Sequence, residues 1–229
     1  MRYQDFRGAV WDTLRLTLRF GGGGADLSAQ VCASCTQVCF EPRSHFVPRY
    51  YRVFDPGRLQ FITSSTYRRV PVFASQRFCR AFAEVLDALR SEFGFRLLGW
   101  VLMPDHFHLL IQPRPAESTP RIVQQLKQRT AYRVLQGLRE NAGQAWCRQM
   151  LGRFRLPETV HDQAQFRVWQ RRYYAMNIFT DKKRLEKLNY MHGNPVKCGL
   201  VASPDQWPWS SFRFYYLNDS SVLSMDRLA

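Results

Sequence analysis

Two apolar runs, residues 95–103 (FRLLGWVLM) and 106–112 (HFHLLIQ), are divided only by Pro104-Asp105. Proline presets the backbone for a tight turn and aspartate favours one, so the runs predict two strands joined back on themselves. The flanking pattern extends this pair. Residues 59–66 (LQFITSST) alternate apolar and polar types and are rich in β-branched ones, which predicts a strand. Ser75 can cap a helix to about Phe93, with Phe78, Phe82, Val85, Leu86 and Leu89 on one face and Gly94 ending it. Ser118 or Thr119 before Pro120 opens a second helix to about Leu138. Residues 141–166 read as less regular, residues 168–174 as a further strand, and Thr180 as the cap of a helix running to about His192 and stopping at Gly193-Asn194-Pro195. The order strand–helix–strand–strand–helix–strand is the α+β, ferredoxin-like split βαβ pattern. It predicts a mostly antiparallel sheet with its helices on one face and the other face free for an active site served by the helix after Thr180.

Charge narrows the partner. The 229-residue chain holds 33 Lys+Arg against 18 Asp+Glu, a formal net charge of +15. Residues 1–45 hold five Arg against four Asp and Glu, so all but one of those net charges lie in the body. A basic, arginine-rich surface suits a polyanion, because each phosphate neutralised releases a counterion. An anionic membrane would call for a basic amphipathic helix or clustered lysines, and no apolar stretch is long enough to span a bilayer. With no secretory signal pattern at the N-terminus, a cytoplasmic nucleic-acid partner is the expectation.

His106 and His108 share one face of their strand, while Phe107 turns to the other. Two imidazoles on a sheet face supply part of a metal site, although His-x-His alone suits bystander histidines equally well. On the helix after Thr180, Leu185, Leu188 and His192 form the packing stripe, and Tyr190 lies off it with Asn194 one turn later on its own side. Taken singly, Tyr190 reads as an amphipathic tyrosine and Asn194 as a C-terminal cap. Together with the histidines they suggest phosphoryl transfer, in which a metal held by His106, His108 and Asn194 polarises a phosphate and Tyr190 attacks it. Arg68, Arg69, Arg171 and Arg172 are candidates for phosphate binding through their planar forks. Trp207 and Trp209 read first as packing the C-terminal tail onto the domain.

Five segments in order resemble the REP-associated tyrosine transposases, single-tyrosine HUH enzymes of the IS200-like group. They are residues 59–69 (LQFITSSTYRR), 101–110 (VLMPDHFHLL), 169–174 (WQRRYY), 188–196 (LNYMHGNPV) and 207–211 (WPWSS). The resemblance implies a ferredoxin-like single-strand DNA transposase using Mg²⁺ or Mn²⁺. Its metal-binding histidines fall on His106 and His108, its nucleophile on Tyr190, and its asparagine on Asn194. It implies cleavage and rejoining at hairpin-forming, REP-like palindromes through a 5′-phosphotyrosine, by a homodimer or a monomer. A catalytically idle hairpin-binding protein and a metal-dependent hydrolytic nuclease are the alternatives.

The expected organisation is a loosely ordered extension at residues 1–47, the DNA transposase domain at 48–216 and a tail at 217–229. Val47 before Pro48-Arg49 is the expected translation start, because resemblance and positive charge both begin there. Within the extension, Cys32, Cys35, Cys39 and His45 could hold zinc, although their spacing is a weak match to zinc modules.

Overall fold

The computed structural model describes residues 55, 57–115, 117–157 and 165–227. The extension, its candidate zinc ligands and the Val47 start lie outside them.

Four strands form one antiparallel sheet: β1 (Gln60–Ser65), β2 (Arg96–Met103), β3 (His106–Gln112) and β4 (Tyr174–Asn177). Their spatial order, β2-β3-β1-β4, is the one that the split βαβ pattern requires. The central hairpin turns at Pro104-Asp105, as the sequence predicts. Helices α1 (Gln76–Phe93) and α2 (Thr119–Glu140) pack together on one face. Gly94 ends α1 at φ 62°, and Ser118 Oγ accepts from Arg121 N at the start of α2. Their apolar stripes meet Ile62, Leu97, Trp100, Leu102, Phe107, Leu109 and Ile111 in the main core. There Phe82, Phe107 and Trp169 pack ring against ring at tilted and edge-on angles, with centroids 5.3–6.4 Å apart.

Three elements differ from the sequence expectation. Residues 145–154, read as irregular, form helix α3 (Ala145–Phe154), with Cys147, Met150 and Phe154 buried at helical spacing. The last strand begins at Tyr174 rather than Val168. Thr63 faces Tyr174 while Trp169 bridges Thr66, so three steps along β1 are matched by five on the partner segment. The surplus puts Arg171 and Arg172 on an exposed excursion between the bridge and β4. Helix α4 (Asp181–Lys197) runs through Pro195 instead of stopping before it. Proline costs the helix one N–H, but Asn194 and Pro195 are buried, so packing of the last turn offsets that loss.

The face that the pattern left free is covered. Helix α4 lies over it, and Leu188 and Met191 meet Phe61, Val101, Met103 and Leu110 in a second, smaller core. Gly99 permits this close approach. A Cβ there would stand 2.6 Å from Met191 Cε and 2.7 Å from Leu188 Cδ2. An extra residue in β2, between the Leu97–Ile111 and Gly99–Leu110 pairs, helps set Gly99 beneath the helix. Leu185, expected on the packing stripe, is 52% exposed, whereas Leu188 and His192 are buried as expected, with Met191 beside them.

The tail closes the outer edge of β2. Leu102 N donates to Trp209 O, Trp207 Nε1 donates to Leu102 O and Ser211 N donates to Trp100 O. Farther along, Asp226 accepts from Leu97 N and pairs with Arg90. These bonds occupy strand groups that an open edge would expose to other chains. Among the described residues, no helix is long and apolar enough to cross a membrane.

Candidate active site

Strand parity and the register of β3 build the site. His106 faces Ser65 on β1 and Met103 on β2, and His108 faces Thr63 and Val101. Both imidazoles lie on the α4 side, almost wholly buried, at 1% and 2% exposure. Their rings are 4.9 Å apart and nearly perpendicular. From above, α4 lowers Asn194 onto them: its Nδ2 is 3.4 Å from His106 Nε2 and 2.9 Å from His108 Nε2.

The remote ring nitrogens are held as well. His106 Nδ1 is 2.7 Å from Asp105 Oδ1, and His108 Nδ1 is 2.7 Å from Thr63 Oγ1. An Nδ1–H donated to these acceptors leaves both Nε2 lone pairs aimed at the Asn194 amide. Burial, and then the charges of His106, Arg69 and Lys187, hold the His108 pKa well below the usual histidine range. It is therefore a neutral imidazole, the form that ligates metal. Two anchored Nε2 atoms and an amide that can turn its oxygen toward them fit a divalent cation by donor chemistry. Among the described residues, no group of three or more His, Cys, Asp and Glu makes a rival site.

Tyr190, half-buried, completes the cluster. Its ring centroid is 5.3 Å from that of His108 and 6.2 Å from that of Phe61, both approached edge-on. Two ammonium groups flank it, Lys187 Nζ at 5.7 Å and Lys197 Nζ at 5.6 Å from the ring centre. Lys187 also lies 5.1 Å over Phe61, and burial with the nearby Lys183 charge lowers its pKa. These cations would attract a phosphate to the Tyr190 side of the cluster.

The four arginines fall differently. Arg68 is exposed, 5.0 Å over the Tyr67 ring. Arg69 pairs with Asp105 at 3.0 Å and donates to Ser65 Oγ at 2.6 Å. Arg171 and Arg172 stand on the excursion before β4, where Lys127 Nζ donates to the Gln170 and Arg171 carbonyls. His192 ties α4 to the tail, with Nε2 2.9 Å from Ser211 Oγ, and burial takes its pKa down to about 4. Thr63, Asp105, Lys187 and Lys197 were not singled out in the sequence. Asp105 could have been found as the carboxylate adjoining His106, and Thr63 only through the β1–β3 register.

Residues 57–152 match the family model described as transposase IS200 like. Over a longer stretch, the chain is 28% identical to a Haemophilus influenzae protein described as a REP-associated tyrosine transposase, across 163 residues. That alignment spans 71% of this chain and 84% of the relative. A solved REP-associated tyrosine transposase bound to a REP hairpin shares the fold, with a TM-score of 0.54 and 18% identity. The superposition covers 79% of this chain and 90% of that one.

Proposed function

We propose that this protein is a metal-dependent transposase that cuts and rejoins single-stranded DNA at hairpin-forming, REP-like palindromes, with Tyr190 as nucleophile. The observation that carries the reading is the Tyr190 ring packed 5.3 Å from His108, beside the converging Nε2 atoms of the histidine pair. The hairpin in the solved relative supports the substrate class. A divalent cation, Mg²⁺ or Mn²⁺, held by His106, His108 and Asn194 would withdraw charge from a non-bridging phosphate oxygen.

The chain's own groups do the rest. Asp105 and Thr63 fix the two imidazoles, so that cluster needs little reorganisation as a strand enters. Lys187 and Lys197 hold the phosphate near the ring, and the phenolic proton passes to solvent. Tyr190 Oη then attacks phosphorus, a P–O bond to Tyr190 forms, and the P–O3′ bond breaks. The leaving 3′ oxygen takes up a proton, and the 5′-phosphotyrosyl ester conserves the phosphodiester for rejoining by the reverse path.

The test uses the full chain with a labelled hairpin oligonucleotide from DNA flanking its own gene, with Mn²⁺ or Mg²⁺, on a denaturing protein gel. The reading predicts a metal-dependent covalent band that is lost in Tyr190→Phe and in His106→Ala. Cleavage that survives Tyr190→Phe would instead establish a hydrolytic nuclease. Tight binding without cleavage in either metal would establish an idle hairpin-binding protein.

A further inference from the structure

The loop leaving β1 holds an unusual backbone. Arg68 and Arg69 both adopt left-handed φ, at 53° and 55°. Left-handed backbone crowds the Cβ of any residue but glycine and is unfavourable there. Strain of this kind persists where surrounding bonds fix it, and here they converge on the β2–β3 turn. Thr66 N donates to Asp105 O at 2.8 Å, and the Thr66 hydroxyl lies 3.0 Å from the same carbonyl. Phe73 N donates to Pro104 O at 2.9 Å. Within that clamp, Arg69 Nε meets Asp105 Oδ2 at 3.0 Å and Arg69 Nη1 donates to Ser65 Oγ. The other carboxylate oxygen, Asp105 Oδ1, takes His106 Nδ1 at 2.7 Å. The Arg69 and Asp105 side chains are only 29% and 17% exposed.

We propose that Arg69 and Asp105 are positioning residues in series for His106: Arg69 orients the carboxylate, and the carboxylate fixes His106 as the Nδ1–H tautomer, with the Nε2 lone pair turned toward the cation site beside Asn194. This rests on the metal-dependent reading above. It gives Arg69 a duty at the metal site instead of on DNA, and it explains the strained turn. From the left-handed pair, the Arg69 guanidinium reaches back to Ser65 at the end of β1. The two histidines are thereby held by different means. His108 relies on the neutral Thr63 hydroxyl, whereas His106 relies on a carboxylate that an arginine holds in place. A charged acceptor makes the stronger hydrogen bond.

The experiment has two readouts on the full chain. Histidine ¹⁵N NMR without metal reads the tautomer of His106, and Mn²⁺ titration followed by electron paramagnetic resonance reads cation affinity. Wild type should show the Nδ1–H form. Asp105→Ala should shift His106 toward the Nε2–H form and weaken Mn²⁺ binding by roughly 10–100-fold. Arg69→Met should weaken Mn²⁺ binding by less, because Asp105 still accepts from His106, and Arg69→Lys should recover part of the loss. Circular dichroism and a cooperative urea unfolding transition in EDTA report that each variant is folded. An unchanged tautomer with unchanged Mn²⁺ affinity in Asp105→Ala would overturn the inference and leave the metal reading standing. Weaker hairpin binding by Arg69→Met at unchanged Mn²⁺ affinity would overturn it for Arg69. Failure of the wild type to bind Mn²⁺ would overturn the metal reading and this inference with it.

Discussion

The two faces of the sheet are made from the same strands and do opposite work. On the α1–α2 side, β3 contributes Phe107, Leu109 and Ile111 to a core of aliphatic and aromatic side chains. On the α4 side, the alternate residues of the same strand are His106, His108 and Leu110. Both faces are buried, but the second gathers the two imidazoles under the Asn194 amide, and there every ring nitrogen of the pair faces a polar atom. A one-residue slip of β3 would exchange the two sets, putting imidazoles into the core and Phe107 beneath Tyr190. The large apolar face therefore fixes the register that the small polar face depends on.

The sharpest way to separate the faces is to remove chemistry without packing. Tyr190→Phe keeps the ring beside His108 and should abolish the covalent DNA adduct, by at least about a thousandfold. Its hairpin affinity by fluorescence anisotropy should stay within a few-fold. Asn194→Ala should follow, with Mn²⁺ affinity by calorimetry falling by roughly 10–100-fold as for loss of a supporting ligand contact. A normal adduct yield in either variant would break the assignment of the α4 face.

On the other face the reverse is expected. Phe107→Ala should cost roughly 3–5 kcal/mol in urea unfolding, because it opens a cavity among Phe82 and Trp169. Adduct formation per folded molecule should be preserved. A chain that unfolds normally but loses the adduct would mean that the faces are not separable.

Acid should weaken the fold through the α4 side. The His192 pKa falls from 6.5 to about 4 because burial penalises imidazolium. As pH drops, the unfolded chain binds that proton first, so the stabilisation is whole above pH 6.5 and is lost progressively toward pH 4. The shift corresponds to about 3 kcal/mol. His108, also held low, adds in the same direction. Unfolding midpoints measured from pH 7 to pH 4 should fall less steeply in His192→Gln, and equal slopes would clear His192 of the effect. The smallest effect belongs to the exposed excursion. Arg172→Ala should weaken hairpin binding only slightly and lower the slope of log affinity against log salt by about one.

Much of this division was legible in the sequence because it rests on local periodicity. Alternation in residues 106–112 put the two histidines on one face, and turn chemistry at Pro104-Asp105 set the hairpin. What escaped was decided by tertiary packing. Helix α4 passes Pro195 because its last turn is buried, and it reaches the sheet only because Gly99 lacks a Cβ. The register surplus before β4 arises from how β1 pairs at both ends, which no window of residues 168–174 contains. Helix α3 is a different case: Cys147, Met150 and Phe154 carried a helical spacing that could have been read. At the site, Tyr190 and Asn194 were found by spacing and resemblance. Lys187 and Lys197 were not, although both stand on the Tyr190 side of α4 at helical spacing that could have been read.

The central claim is that Tyr190 becomes covalently joined to DNA. Peptide mass spectrometry of the wild-type protein, after reaction with a hairpin oligonucleotide in Mn²⁺ and nuclease trimming, tests it most directly. The account predicts a nucleotide attached through its 5′ phosphate to the peptide containing Tyr190, and absent when the metal is chelated. Attachment to a different residue, or cleaved DNA with no modified peptide, would contradict it.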